Sequence, residues 1–249
     1  MTFDQWLAAL EQRHLANLTT SEVTRALRAL SSCYVERREK LATGAALEGA
    51  GKRAAFALFY GVQHFLVTRE VARAMLLEPG HETRLPRILD LGCGTGAAGT
   101  ALATEVGAAR IDGVDVNRWA VAEANWTYTA FALRGRAVVG NIKAVRLPRT
   151  ADTLVLAAYT VNELSDDLRR QTLQRLIDAH GFGASILVIE PIGRRANPWW
   201  AHWAAAFAAA GGREDEWRFR APLPRFQRAL AKGAGLDVQE LTARSLYVA

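Results

Sequence analysis

The chain has 249 residues, half of them hydrophobic and 22% charged, with a formal net charge of +6. Such a composition supports a packed core and excludes a disordered chain. No uninterrupted apolar run reaches the ~18 residues that cross a bilayer, and the opening MTFDQWLAALEQRH lacks the basic and apolar stretches of a secretory leader. A cytoplasmic location without membrane attachment is therefore expected. Cys33 and Cys93 are the two cysteines, too few for a four-cysteine zinc or iron–sulfur site, so no metal centre is expected.

Residues 1 to about 78 read as helical. Thr2 and Gln5 have capping-box spacing, followed by Trp6, Leu7 and Leu10 at helical intervals. Thr20 or Ser21 is expected to cap a second helix with Val23, Leu27 and Leu30 on one face. A break is expected at Gly44 to Gly51. One or two helices then run from Lys52 to Leu77 through Phe56, Phe59, Phe65, Val71 and Met75, and Pro79-Gly80 closes the region. Residues 1–80 are thus expected as a helical N-terminal segment, and 81–249 as a second domain.

The period changes after that point. Arg87 to Leu91 reads as a buried strand, Thr95 to Val106 as a helix and Ala109 to Val116 as strand two. Trp119 to Leu133 reads as a helix, Ala137 to Ile142 as strand three and Asp152 to Tyr159 as strand four. Ser165-Asp166-Asp167 caps a helix from Leu168 to His180, and Ala184 to Ile189 is strand five. A helix is expected to start at Asn197-Pro198. Trp217 to Arg220 reads as extended and Pro224 to Lys232 as helical. Leu236 to Leu241 and Ser245 to Val248 read as two closing strands. Strands alternating with helices argue for an α/β fold with a parallel sheet covered on both faces.

The chemistry gathers at Ile88 to Gly96, which reads ILDLGCGTG. A strand ending in Asp90 and followed by Gly92, Gly94 and Gly96 brings bare backbone against a ligand at a helix N-terminus. Gly92, Gly94 and Ala97 also satisfy a dinucleotide fingerprint. Asp90 tilts the choice, because a carboxylate there repels a diphosphate and suits an ammonium group such as the methionine end of S-adenosylmethionine. Asp115 lies 23 residues beyond Gly92 at the end of strand two, where a carboxylate accepts ribose hydroxyls from either cofactor. Asn141, at the end of strand three, can bind an adenine edge or serve as a turn residue. Cys93 within the loop reads as a small buried residue.

On these residues the segment from Arg87 to Leu164 resembles the core of class I S-adenosylmethionine-dependent methyltransferases. The resemblance implies a Rossmann-like seven-stranded sheet, with its last strand inserted antiparallel. It also implies cofactor contacts at the carboxyl ends of strands one to four: Asp90, Gly92, Cys93, Gly94, Gly96, Asp115, Val116, Asn141, Ile142 and Ala157. A narrower resemblance is carried by Ala157-Ala158-Tyr159-Thr160-Val161-Asn162-Glu163-Leu164 and Leu187-Val188-Ile189-Glu190-Pro191. Trp217-Arg218-Phe219-Arg220, Leu230 to Gly235 and Ser245-Leu246-Tyr247-Val248 follow in the same order. Together with Leu30 to Val35, these segments are similar to the mitochondrial ribosomal small-subunit methyltransferase-like family. Many members of that family carry cluster-binding cysteines before the tail. This chain has no cysteine after Cys93, so no cluster is expected.

The acceptor-facing candidates are Tyr159, Asn162, Glu163 and Glu190. Glu163 reads either as a general base or as a helix cap with Ser165. Glu190 reads as a residue that shapes the pocket. No Asp-Pro-Pro-Tyr or Asn-Pro-Pro-Tyr follows strand four, and no Pro-Cys pair lies near strands four or five. Both absences narrow the acceptor chemistry. His64, His180 and His202 read as structural or exposed. Trp199, Trp200, Trp203 and Trp217 can line a cleft, though Trp199 and Trp203 have the spacing of a packed helix face.

The basic residues Arg37, Arg38, Lys40, Lys143, Arg146 and Arg149, and those from Arg213 to Lys232, either attract nucleic-acid phosphates or form a solvated surface. The expected function is methyl transfer from S-adenosylmethionine, with ribosomal RNA or the ribosomal small subunit as acceptor. A small-metabolite methyltransferase, a non-catalytic assembly factor and a nicotinamide dehydrogenase are the rivals.

Overall fold

The computed structural model describes residues 1–36, 47–76, 87–193, 197–220 and 223–249. Arg37, Arg38, Lys40, the Pro79-Gly80 stop and the first part of the Gly44–Gly51 break lie outside the described residues.

Helix α1 (Phe3–Leu15) opens on the expected capping box: Gln5 N–H donates to Thr2 Oγ1 at 3.3 Å and Thr2 N–H to Gln5 Oε1 at 2.9 Å. Helix α2 (Thr20–Glu36) uses the same device one residue earlier than expected. Thr19, rather than Thr20 or Ser21, exchanges hydrogen bonds with Glu22, because only that pair has the Thr-x-x-Glu spacing. Helix α3 (Ala50–Ala55) passes through a π-helical turn at Phe56–Gly61 directly into α4 (Val62–Leu76).

The strands are β1 (Arg87–Leu91), β2 (Arg110–Asp115), β3 (Gly135–Val139), β4 (Thr153–Ala158), β5 (Ser185–Glu190), β6 (Arg213–Phe219) and β7 (Leu241–Val248). They form one sheet in the order β3-β2-β1-β4-β5-β7-β6. The first five pair in parallel, and β7 enters antiparallel to both β5 and β6. This is the seven-stranded Rossmann-like order that the class I resemblance implies. The interleaved helices are α5 (Ala97–Glu105), α6 (Arg118–Ala130), α7 (Asp166–Gly181), α8 (Trp200–Ala209) and α9 (Arg225–Ala234).

Several expected elements shift, among them the stretch expected to be extended from Trp217 to Arg220, which is β6 over Arg213–Phe219. Strand three ends at Val139, and the Asn141 side chain instead accepts from Lys143 N–H at 2.9 Å, starting a 3-10 turn over Ile142–Ala144. Leu236 to Glu240 is not a strand, since β7 begins at Leu241 and the stretch before it borders a cavity. Helix α8 begins at Trp200, after a turn at Asn197-Pro198 in which Trp200 N–H bonds to Asn197 C=O.

Both sheet faces are buried. Leu173, Leu176, Trp203 and Phe207 cover Val155, Ile186 and Val188 on one side. On the other, Trp6, Leu27, Phe59 and Val71 share a continuous core with Ile88, Leu154 and Leu187. The N-terminal helices thus pack on the sheet through apolar burial, the dominant favourable term.

A buried ion cluster adds a directional tie. Glu123 of α6 accepts from Arg13 Nη2 at 2.8 Å, Arg13 Nε at 3.0 Å and His14 Nε2 at 3.2 Å. Burial opposes its ionisation, but the hydrogen bonds from His14 and Arg13 win and hold its pKa at about 2. A carboxylate lowered in the fold stabilises above its unfolded pKa, and that contribution is lost as pH falls from about 4.5 towards about 2. Acid titration of the unfolding free energy is expected to show wild type losing on the order of 3 kcal/mol more than Glu123→Gln over that window. Parallel curves would refute the tie.

Candidate active site

The strand order reverses between β1 and β4, and in open α/β sheets ligands bind beyond the carboxyl ends of the strands at such a point. A cavity of about 730 Å³ lies there. The loop after β1 builds its floor. Gly94 has φ +51, and a Cβ at that position would meet nothing closer than the Phe56 ring at 4.0 Å, so bare backbone faces the cavity. Gly96 has φ +75 and a different role: a Cβ there would come within 2.8 Å of Tyr128 and 2.9 Å of the Ala124 backbone. It lets α5 close against α6.

Asp115 ends β2 and fixes the loop. Its Oδ2 accepts from Gly94 N–H at 2.9 Å and its Oδ1 from Asn117 N–H at 2.8 Å. Burial nevertheless raises its pKa. Asp90 is only 1% exposed, and its Oδ2 has no hydrogen-bond partner. Burial, and then the charge of Asp115, push its pKa up to about 7, against the pull of the Gly99 amide. A buried carboxylate oxygen without a donor is costly, and a cationic group in the cavity would relieve that cost.

The turn after β4 forms the opposite wall. Tyr159 takes the left-handed φ of +58, sparsely populated for a non-glycine residue, and its N–H donates to Ile189 C=O at 2.8 Å. Its ring stacks on His64 with centroids 3.8 Å apart and planes 9° apart. Thr160 Oγ1 lies between the carbonyl oxygens of Leu91, Gly92 and Ala158 at 3.0–3.2 Å and donates to one at a time.

Glu190 clamps the following residues. Its Oε1 accepts from Val161 N–H at 2.7 Å and Asn162 N–H at 3.2 Å, and its Oε2 from Asn162 Nδ2 at 2.7 Å. Asn162 Oδ1 in turn accepts from Trp199 Nε1 at 2.9 Å. Arg169 donates to the carbonyls of Val161 and Leu164. Glu190 is wholly buried, and burial pushes its pKa up to about 8 against those amides. Glu163 lines the cavity with its side chain still accessible. The surrounding protein and then Asp115 raise its pKa to about 8. Water reaching the exposed side chain moderates that rise, and a ligand displacing the water would strengthen it.

The structure brings together Asp90, Gly92, Cys93, Gly94, Asp115, Val116, Asn141, Ile142, Tyr159, Asn162, Glu163 and Glu190, all on the cavity wall. It does not bring Gly96 or Ala157 there. Gly96 is used in helix packing. Ala157 points into the core on the opposite face, because successive strand side chains alternate, and Ala158 lines the cavity instead.

Phe56, Tyr60, Gln63 and His64 also line the cavity and were not expected. Their signal was the spacing of four between Phe56, Tyr60 and His64, indistinguishable in sequence from a core stripe. The tryptophans do not line it: Trp200 and Trp203 are buried, and Trp199 supports Asn162 from behind.

Among the described lining residues, the side chains that can carry a full charge are the acids Asp90, Asp115, Glu163, Glu190, Asp237 and Glu240, with no Lys or Arg. Such a wall repels the diphosphate of a dinucleotide and suits the ammonium and sulfonium of S-adenosylmethionine. Residues 88–180 match the family described as Methyltransferase domain. This segment is a methyltransferase domain. Its cofactor is S-adenosylmethionine, and the acid-lined cavity, with Asp90 unpaired, fits that cofactor.

No curated protein matches the chain. Among solved structures, the methyltransferase domain of bacterial CtHen1 superposes with a TM-score of 0.50 at 12% identity, covering 75% of this chain and 98% of that one. Magnesium protoporphyrin IX methyltransferase from Synechocystis PCC 6803, with bound S-adenosylmethionine, gives 0.49 at 15% identity, over 75% and 79% of the two chains. A putative RNA methyltransferase from Pyrococcus horikoshii gives 0.45 at 11% identity, over 80% and 84%. At these identities the likeness concerns the fold alone. In the methyltransferase domain the described residues contain no candidate metal site and no helix long and apolar enough to cross a membrane.

Proposed function

We propose that the chain methylates RNA of the ribosomal small subunit, with a base entering the acid-lined cavity while the phosphates stay outside. The observation behind this reading is a contrast of charge. Arg134 just before the sheet-edge strand β3, Arg136 on it, and Lys143, Arg146 and Arg149 just beyond it are all exposed. Among the described residues none of the five forms an ion pair with an acid. Asn141 and Ile142, on the cavity rim, lie in sequence between these two groups. Exposed basic side chains hold phosphates, and a cavity lined by acids admits the base rather than the phosphates. The segmental likeness to the mitochondrial ribosomal small-subunit methyltransferase-like family points the same way.

In this reading the helical N-terminal segment, expected over residues 1–80, serves as a lid or acceptor platform for the catalytic domain expected over residues 81–249. Bound S-adenosylmethionine supplies an electrophilic methyl group on a sulfonium. Asp90 holds the ammonium end, Asp115 the ribose hydroxyls, and Asn141 with Val116 and Ile142 the adenine. Tyr159 and Asn162 position the acceptor, and Glu163 takes its proton. Glu190 acts through Asn162 rather than on the acceptor.

The test is transfer of label from methyl-labelled S-adenosylmethionine to small-subunit particles or their naked RNA. Label in RNA is expected. The double variant Arg146→Glu/Arg149→Glu is expected to weaken RNA binding and to lower the slope of log affinity against log salt by roughly one to two. Labelled RNA is not expected if the acceptor is a small amine, the second reading, which the six cavity carboxylates favour. Intact cofactor binding with unlabelled RNA would overturn the RNA reading in favour of that one.

A further inference from the structure

Part of the cavity wall goes unused by the cofactor contacts assigned above. Phe56 and Tyr60 reach it from the π-helical turn, His64 from α4 and Tyr159 from the end of β4. Their rings form one cluster. Phe56 lies 6.1 Å from Tyr60 and 6.1 Å from His64, meeting the latter edge-on at 84°, and Tyr60 lies 6.4 Å from His64. Tyr159 is held in a left-handed backbone conformation, and its ring lies flat on His64. Strained backbone and π-helical turns both recur at functional sites. Burial depresses the His64 pKa to about 3, so this wall carries no positive charge. The Glu190 carboxyl acts on Tyr159, and the other ionisable carboxyl groups on the cavity wall, Asp90, Asp115, Glu163, Asp237 and Glu240, are acids too.

We propose that Phe56, Tyr60, His64 and Tyr159 form the acceptor subsite, and that it takes a planar ring bearing no negative charge. An aromatic ring gains offset or edge-to-face contacts from such a cluster. A positive charge on the ring is tolerated by the ring faces and the nearby carboxylates. An anionic group would enter a cavity whose described lining offers acids and no Lys or Arg to pair with it. The inference rests on the methyltransferase reading for the word acceptor. It does not rest on RNA, because a nucleobase and a small aromatic amine share this chemistry.

Saturation-transfer NMR at millimolar ligand tests it on the whole chain, saturated with S-adenosylhomocysteine to fill the cofactor side. The probes are cytidine, cytidine 5′-monophosphate, tyramine and cyclohexylamine. At least one of cytidine and tyramine is expected to bind, and cyclohexylamine is not. If cytidine binds, its monophosphate should bind at least tenfold more weakly. A cytidine signal alone identifies an RNA base as the source of the ring, and a tyramine signal alone identifies a small aromatic amine.

His64→Leu, which puts an apolar side chain of similar size at this half-buried position, should abolish the ring signals. Asp237→Lys, at an exposed position, should bring the monophosphate within about threefold of cytidine. Equal binding of cytidine and its monophosphate, equal binding of cyclohexylamine, or silence from both rings would overturn the subsite. Calorimetry with S-adenosylhomocysteine on the same sample separates the two readings. Normal S-adenosylhomocysteine binding with silent rings removes the subsite alone, whereas absent binding removes the methyltransferase reading with it.

Discussion

Replacing Asp115 with alanine is expected to weaken S-adenosylmethionine binding about a hundredfold or more. A carboxylate accepting two hydroxyls loses two charge-assisted hydrogen bonds, each worth about 1.5–3 kcal/mol. The same substitution frees Gly94 N–H and Asn117 N–H, so the glycine loop loses its tether as well. Asp115→Asn separates the two effects, because its amide oxygen can still hold one of those amides. Calorimetry should place the asparagine variant between wild type and alanine. Unchanged affinity in the alanine variant would remove Asp115 from the cofactor site.

The same titration carries a pH signature. Asp90 has a pKa near 7, and a cationic ligand competes with its proton. Affinity should therefore fall as pH drops through about 7, with proton release on binding. Asp90→Asn should flatten that dependence. For the protein without cofactor the linkage has the opposite sense to that of Glu123. A carboxylate raised in the fold gives stability that is complete below its unfolded pKa and lost as pH rises through the folded value.

Glu190→Ala is expected to cost about 3–5 kcal/mol of stability. It leaves Val161 N–H, Asn162 N–H and Asn162 Nδ2 without their acceptor in a buried site. Glu190→Gln keeps the volume and one oxygen for the two backbone amides. Its new NH₂ then faces Asn162 Nδ2, donor against donor. Turning the Asn162 amide over repairs that clash but deprives Trp199 Nε1 of its acceptor. One hydrogen bond is lost either way, costing roughly 1–2 kcal/mol.

The glutamine variant does not ionise. Between about pH 5 and pH 9 its melting temperature should fall less than that of wild type, whose Glu190 ionises near 8. Turnover should drop in both variants, with cofactor affinity little changed, because the Val161–Glu163 turn carries Asn162 and Glu163 into the cavity. Equal losses in turnover and in cofactor affinity would mean that Glu190 supports the fold as a whole rather than this turn.

The order of strands and helices from Arg87 onward was readable because alternating apolar runs, glycine turns and Ser or Asn caps are local signals. Ser165 caps α7 as its sequence implied. The glycine loop with Asp90 and Asp115 was readable because close backbone approach demands glycine at fixed spacing. Misplaced boundaries followed from competing local bonds. Asn141 turns back on Lys143 N–H, and the residues before Leu241 border the cavity rather than pair.

Sequence by itself therefore determined the α/β sheet and the glycine loop with Asp90 and Asp115 beside it, since those depend on periodicity and short-range spacing. Only the tertiary structure decided the rest. It set which face of β4 meets the cavity, so that Ala158 replaces Ala157. It laid His64 against Tyr159 across 95 positions of chain and fastened Glu190 to the turn at Asn162. Contacts between residues far apart in sequence leave no periodic trace, and they exist only once the sheet and the N-terminal helices have packed on a common core.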